Sequence, residues 1–383
     1  MNIPFNKPFL IGQELSYVEQ AVKSGHIAGN GAFTKKCQNF LQEKLGARKI
    51  LLTPSCTAAL EMSAILCDIG PEDEIILPSF TFVSTANAFY LLGAKLKFVD
   101  IRPDTLNIDE KKIEEAITKR TKAIVPMHYG GIGCAMDTIT RIAKKHGLLV
   151  IEDAAHAINA TYQNQFLGTI GDLGAFSFHE TKNFICGEGG AIVINNEKFL
   201  DRADVIWEKG TNRIKFFEGK IDKYTWVDVG SSYVLSDVLA AFLFAQLENL
   251  EKITQRRKEI FDLYLNEFSA LAEKGSFQLP TIPRDCQSGY HCFYLIVEDA
   301  NLRRQLLNYL NQKKIGAVFH YVPLHLSPIG RSFGYRDRQL PMTESISERL
   351  IRLPFYYTLS VDEQLFVIDQ VKKFFKEALK PVR

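Results

Sequence analysis

What is scarce in these 383 residues narrows the field before any motif is read. No apolar run reaches the roughly 18–20 residues that cross a bilayer, so no membrane span is expected. Neither sign of charge dominates: 46 Lys and Arg against 44 Asp and Glu leave +2. That balance gives nucleic acid or a membrane surface no electrostatic foothold as main partner. The seven cysteines, Cys37, Cys56, Cys67, Cys134, Cys186, Cys286 and Cys292, are odd in number, scattered and free of any Cys-x-x-Cys pair. They argue against a disulfide scaffold or a zinc site and for reduced thiols in a cytoplasm. The opening MNIPFNKPFLIGQEL carries Pro4 and Glu14 where a secretion signal needs a clean apolar stretch. No internal repeat and no low-complexity linker is present. A cytoplasmic protein is expected.

Hydrophobic residues make up 46% and charged residues 23%, ordinary values for a globular chain. The length is too great for one small core, so a large domain with a smaller companion is expected. From about residue 49 to 195, apolar runs alternate with segments of helical spacing. KILLT, EIILP, KLKFVD, KAIVPM, LLVIED, GAFSF and GAIVIN read as strands; TAALEMSAILC, STANAFYLLG, DEKKIEEAI and MDTITRIAKKHG read as helices. This alternation predicts an α/β fold with a mainly parallel central sheet flanked by helices. Residues 235–270 read as a long helix or a helix pair with a strong apolar stripe. The expected division is 1–245 for the large domain and 246–383 for a smaller C-terminal α+β domain. The latter holds a strand (HCFYLIVED), a helix (LRRQLLNYLNQKKIG), a loop with HYVPLH and an amphipathic helix after Ser360.

Ligands of such sheets sit at the carboxyl ends of the strands. The segments there, PSCT, PSFTF, HYGG, DAAH and HETK, are rich in hydroxyls, aromatics and ionisable groups. Lys182 can form a Schiff base with an aldehyde if its surroundings favour the neutral amine. Asp153, at a strand end, can hold a pyridine nitrogen protonated, the pairing that makes pyridoxal phosphate an electron sink. Ser55-Cys56-Thr57 opens a helix directly after a strand and suits a phosphate. Phe82 can lie against a ring, and Ser177 can add a hydroxyl to the phosphate. Each has a plainer alternative. Ser55 or Thr57 can simply cap a helix, Asp153 a turn, and His156 can be a satisfied helix histidine. Phe82 can be core, Ser177 can bond locally, and a single lysine is usually solvated. The conjunction of the five favours one cofactor.

EDAAH at 152–156, SFHETKN at 177–183, GEGG at 187–190 and HYVPLH at 320–325 resemble the pyridoxal-phosphate-dependent sugar aminotransferases of the DegT/StrS family. PSCTAALE at 54–61 and PSFTFVSTANA at 78–88 match as well, and the likeness runs in order over nearly the whole chain. It implies a type I aminotransferase fold working as a homodimer or higher assembly, with pyridoxal 5′-phosphate as cofactor and no metal. Carried over by position, Lys182 is the Schiff-base lysine and Asp153 the pyridinium partner. His156 lies near the ring, Phe82 stacks on it, and Cys56, Thr57 and Ser177 belong to the phosphate site. Ser232 stands where many relatives carry an asparagine that reaches the neighbouring subunit's phosphate. Gly29, with Asn30 beside it, and His320, Tyr321 and His325 are the implied contacts to a nucleotide-sugar substrate. FHETKN, KGTNR, DKYTW and GSSY point to a branch that aminates a 4-keto sugar with L-glutamate as donor.

Two other classes compete. AIVPMHY followed by Gly130, Gly131 and Gly133, with Glu152 and Asp153 about twenty residues on, partly fits a dinucleotide-binding fingerprint and an NAD-dependent oxidoreductase. Met136 stands at its third glycine position, where a bulky residue disturbs close helix–strand packing. A non-catalytic cofactor sensor is the other, against which Lys182 and Asp153 are both intact. A metal site on His320 and His325 lacks a third and fourth ligand nearby.

Overall fold

In the computed structural model, residues 1–378 are described. Seven strands form the central sheet: β1 (Lys49–Thr53), β2 (Glu74–Pro78), β3 (Lys95–Val99), β4 (Thr121–Ile124), β5 (Leu149–Asp153), β6 (Leu173–Ser177) and β7 (Gly190–Ile194). Their order is β1-β7-β6-β5-β4-β2-β3. All neighbours are parallel except β7, which runs antiparallel to both β1 and β6. Helices cover both faces, so β2, β6 and β7 are buried at every position. That double burial is why their sequences are continuous apolar runs without alternation.

The connections put the chemistry at one edge. β1 passes through Pro54 and Ser55 into helix Cys56–Leu66, where the Ser55 hydroxyl accepts from the Ala58 N–H at 3.1 Å and caps the helix. β2 leads to helix Val83–Tyr90, and β6 and β7 are joined by the loop that carries SFHETKN. The expected helix over 109–117 is instead a 3-10 turn, Glu110–Lys112, and a single α turn, Ile113–Ala116. Asp109 caps the first through the Lys111 N–H, and Ile117 turns extended and stops the second.

Residues 235–270 form the helix pair, Asp237–Glu248 and Leu250–Glu273, broken at Asn249. The first of them packs on the N-terminal helices Glu14–Lys23 and Ala32–Leu45. Asp237 accepts from the Phe33 and Thr34 N–H groups at 3.2 and 2.7 Å, placing a carboxylate at a helix N-terminus. The 245/246 division expected from sequence falls inside that first helix. Beyond it, Phe261, Tyr264, Phe268 and Phe293 found a second core with the two-stranded sheet β8 (Tyr294–Ile296) and β9 (Leu350–Arg352). Helices Ala300–Gln312 and Val361–Ala378 complete that half. The strand expected in HCFYLIVED is only its middle three residues. The last five residues of the expected C-terminal domain, 379–383, lie outside the described residues. Among the described residues no helix is long and apolar enough to cross a membrane, and all seven cysteines are free.

Candidate active site

A cavity of about 470 Å³ opens where the carboxyl ends of the parallel strands meet the C-terminal half. Lys182, Asp153, Cys56, Thr57, Ser177, Phe82, His156, His320 and Tyr321 all line it. Nine side chains from five loops, marked separately in the sequence, therefore share one space.

The Lys182 loop is held tightly. Its N–H donates to the His179 carbonyl at 2.9 Å, and around it Glu180 N–H bonds Gly187 O and Cys186 N–H bonds Phe178 O. Next door, buried Asn183 donates to Gly289 O at 2.6 Å and its amide oxygen meets His291 Nδ1 at 3.0 Å. The lysine thus projects from a pinned backbone. No carboxylate among the described residues forms an ion pair with it. Burial lowers its pKa below that of a free lysine, and nearby Asp153 only partly opposes this.

Asp153 ends β5, almost fully buried. One oxygen accepts from the Thr85 hydroxyl at 2.6 Å and the other from the Ala155 N–H at 3.1 Å. Thr85 is in turn bonded to Thr81 at 2.7 Å. Both partners fix the carboxylate in place and leave it lone pairs facing the cavity. Also in the lining, the Thr57 and Ser84 hydroxyls meet at 2.7 Å beside the N-terminus of helix Cys56–Leu66. Gly190, of the GEGG turn, abuts this wall: a Cβ there would stand 2.4 Å from Cys56 N. The glycine lets β7 support the loop backbone from beneath.

Three imidazoles crowd together. His156 stacks on His291 with ring centroids 3.9 Å apart, and His320 lies 6.1 Å from His156. Burial pushes all three below the usual histidine range, aided for His156 by His291 and for His291 by Lys182. His156 Nδ1 accepts from the Gly130 N–H at 3.4 Å, so a neutral ring carries its proton on Nε2. The His320 ring meets the Tyr129 hydroxyl at 3.0 Å. Phe82 is half exposed at the rim, 6.5 Å from the Tyr321 ring.

Three marked residues do not line this cavity. His325 is completely buried between Ser79, 2.7 Å from its Nδ1, and Glu344, 3.1 Å from its Nε2. A 3-10 turn over Leu324–Leu326 swings it away from His320 and Tyr321 and makes it a tie between the two halves. Gly29 backs onto Val234 and the Leu235 carbonyl, where a Cβ would come within 2.0 and 2.5 Å. Ser232 is exposed and bridges Glu208. Conversely, the cavity contains His291, Cys292, Arg352 and Phe5, which the motifs did not mark. The rival glycine loop is spent on packing: Gly131 lies against the His156 carbonyl and Gly289, and the following helix starts only at Met136. Glu152 is fully buried and bonded to three backbone N–H groups of its own domain, so it has no place at a ribose. Among the described residues no group of three or more His, Cys, Asp or Glu side chains is arranged for a metal.

A lysine amine that pairs with no carboxylate among the described residues shares a largely apolar cavity with a fixed carboxylate, with hydroxyls and a capped helix N-terminus in its lining. This donor set fits pyridoxal 5′-phosphate, and together with the sheet it defines an aminotransferase. The DegT/DnrJ/EryC1/StrS aminotransferase family model matches residues 9–372. The chain is 35% identical over 382 residues to an uncharacterised protein of Methanocaldococcus jannaschii, covering 98% of each. It is 33% identical over 384 residues, 98% of each, to the spore coat polysaccharide biosynthesis protein SpsC of Bacillus subtilis. Among solved structures, a Streptococcus pneumoniae protein assigned as a sugar aminotransferase, in its PLP form, superposes with a TM-score of 0.91. It shares 27% identity, with 99% of this chain and 100% of that one covered. The chain belongs to the DegT/DnrJ/EryC1/StrS family, the pyridoxal-phosphate-dependent sugar aminotransferases that its motifs resemble.

Proposed function

We propose that this enzyme moves the amino group of L-glutamate to the 4-keto carbon of dTDP-4-dehydro-6-deoxy-D-glucose. The products are dTDP-4-amino-4,6-dideoxy-D-galactose and 2-oxoglutarate, the amino sugar serving a cell-surface polysaccharide such as enterobacterial common antigen or lipopolysaccharide. The observation that carries the amino transfer is the joint presence of Lys182 and Asp153 in one cavity. The sugar rests on FHETKN, KGTNR, DKYTW and GSSY, and on relatives named for polysaccharide biosynthesis and for sugar amination.

When bound, pyridoxal phosphate supplies an aldehyde for an amine and a conjugated ring that takes up an electron pair. The protein does the rest. Lys182 Nζ, with its pKa lowered by burial, is available as a nucleophile and as a base. It takes the α-proton from glutamate and, in the second half of the cycle, returns a proton to the sugar's C4. Asp153, steadied by Thr85 and Ala155, offers a carboxylate to a protonated ring nitrogen. The Cys56 N–H at the helix N-terminus and the Thr57 and Ser177 hydroxyls would hold the phosphate. His156, Phe82 and Tyr321 line the cavity, Phe82 at its open rim. Glutamate and the nucleotide sugar use Lys182 in turn, so kinetics are ping-pong. Exposed Ser232, off its own subunit's cavity, would in a homodimer offer its hydroxyl to the partner subunit's phosphate, in place of the asparagine of many relatives.

The test is an absorption spectrum of the protein supplemented with pyridoxal phosphate, beside Lys182→Ala, before and after glutamate. A yellow band bleached by glutamate and absent from the variant is expected, followed by its recovery with dTDP-4-dehydro-6-deoxy-D-glucose. Identical colourless spectra for the two proteins would sink the aminotransferase reading. Bleaching without recovery by that sugar would sink the substrate.

A further inference from the structure

Asn183, next after the reactive lysine, is buried and does not line the cavity. Both ends of its amide are engaged by residues 106 and 108 positions further on. Nδ2 donates to the Gly289 carbonyl at 2.6 Å, and Oδ1 lies 3.0 Å from His291 Nδ1. A flipped amide would set its oxygen against the Gly289 carbonyl, so the orientation is fixed. Oδ1 can then only accept. His291 Nδ1 must be the donor, and in the neutral ring Nε2 is left bare. A neighbouring backbone carbonyl thus decides a tautomer.

Further bonds complete the frame around His291. Its N–H donates to Gly130 O at 3.2 Å, and the Gly289 N–H donates to Gly131 O at 3.0 Å. Arg257 donates to its carbonyl at 2.6 Å. Gly130 and Gly131 take φ values of 64° and 81°, where glycine is favoured, and a Cβ on Gly131 would stand 2.7 Å from the His156 carbonyl oxygen. The glycine pair that partly fits a dinucleotide loop therefore serves as the seat of residues 289–291.

The His156 ring is held far less firmly. Among the described residues its one hydrogen bond is the 3.4 Å contact from the Gly130 N–H, longer than the usual limit of about 3.2 Å. What lies against it is the His291 ring, 3.9 Å away between centroids and 17° from parallel. The place of His156 in the cavity follows from that of His291, and that of His291 from Asn183.

We propose that Asn183 is a positioning residue for the amino transfer: it locks His291 as the Nδ1–H tautomer and thereby holds the stacked His156 ring in place at the cavity wall. This rests on the aminotransferase reading above. Because Asn183 adjoins Lys182, the same amide also anchors the backbone from which the amine swings. Its loss acts on the step in which Lys182 moves a proton, where small misplacements are costly, and not on how tightly the donor is held.

The experiment compares the cofactor-loaded wild type with Asn183→Ala and Asn183→Asp at mildly alkaline pH. Nitrogen NMR of histidine-labelled protein reads which ring nitrogen carries the proton, the His291 signals being those that vanish in His291→Gln. Wild type should show a protonated Nδ1 and a bare Nε2 on His291. Asn183→Ala should show a bare Nδ1 in part of the population, and Asn183→Asp, which keeps the acceptor, a protonated Nδ1. Rapid mixing with L-glutamate then follows bleaching of the visible band. Asn183→Ala should lower the limiting rate roughly 10- to 100-fold and leave half-saturating glutamate within about threefold of wild type. Asn183→Asp should regain part of the rate. A merely structural defect would shrink the amplitude of the band and leave the rate of the remaining fraction unchanged, and that outcome overturns the proposal. A bare His291 Nδ1 in wild type overturns it as well, without touching the aminotransferase reading. Should Asn183→Ala not fold, Asn183→Ser is read in its place, an unchanged limiting rate again overturning the proposal. A wild type whose band glutamate leaves unaltered defeats the aminotransferase reading, and this role in the transfer with it.

Discussion

Glu152 precedes Asp153 on β5 and is wholly buried. Its Oε1 accepts from the Ile170 and Gly171 N–H groups at 2.7 and 2.6 Å. Its Oε2 accepts from Gly168 N–H at 2.8 Å and meets His128 Nε2 at 2.9 Å. The His128 Nδ1 accepts from Cys134 N–H at 3.2 Å, so the neutral ring carries its proton on Nε2 and donates it to Glu152. Four donors thus converge on one carboxylate. In Glu152→Gln the amide oxygen can keep Ile170 and Gly171, but the NH2 group then faces two other donors. Turning His128 to its other tautomer only moves the mismatch to Cys134. Each buried donor left unpaired costs about 1–3 kcal/mol, so the variant should lose roughly 2–6 kcal/mol. That is a large part of the roughly 5–15 kcal/mol typical of a folded protein. Urea unfolding read from tryptophan fluorescence suits the test, because Trp207 is buried in the large domain with its indole N–H on Leu52 O. Its midpoint should fall sharply with little change in slope. A loss below about 1 kcal/mol would refute the reasoning, because it would mean the 168–171 turn does not need the charge.

Gly190→Ala would bring a Cβ within 2.4 Å of Cys56 N and of Ser55 C, both backbone atoms that no rotamer can move aside. The protein should fold but bind pyridoxal phosphate at least about tenfold more weakly, since the displaced turn is the phosphate wall. A cofactor titration giving the wild-type constant would contradict this. The three cavity imidazoles set an acid limit. His156, His291 and His320 have folded pKa values below the usual 6.5, so below that pH the unfolded chain binds protons that the folded chain refuses. Stability of the cofactor-free protein should therefore fall as pH drops, by up to about 1.4 kcal/mol per unit for each ring. His291→Phe should flatten the slope of stability against pH by about one proton between about pH 6 and 5. An unaltered slope would mean His291 takes up its proton in both states.

The sheet was legible because strands buried on both faces appear as apolar runs that few other structures require. Lys182 and Asp153 were legible together for a topological reason: parallel strands end on the same edge, so residues far apart in sequence but each just past a strand become neighbours. His325 shows the limit of a motif read as a unit. Six residues of HYVPLH share a loop, yet His320 and Tyr321 line the cavity while a 3-10 turn over Leu324–Leu326 sends His325 to Ser79 and Glu344. Periodicity carries no information about such a turn.

His291 and Arg352 were illegible for a different reason: they belong to the C-terminal half and enter the cavity only through packing between halves. Arg257, fully buried in helix Leu250–Glu273, donates to the carbonyls of Tyr290 and His291 at 2.9 and 2.6 Å. Its guanidinium lies 4.8 Å from the Phe355 ring centre, and burial pulls its pKa down to about 9. A charge kept at that cost, spent on two carbonyls, fixes His291 against His156 and so fixes the far wall of the cavity. The residues before the long helix supply the amine and the carboxylate, while His291, whose carbonyl Arg257 holds, comes from the residues after it. A sequence states each of these residues plainly. It does not state that Arg257 holds His291 where its ring stacks on His156.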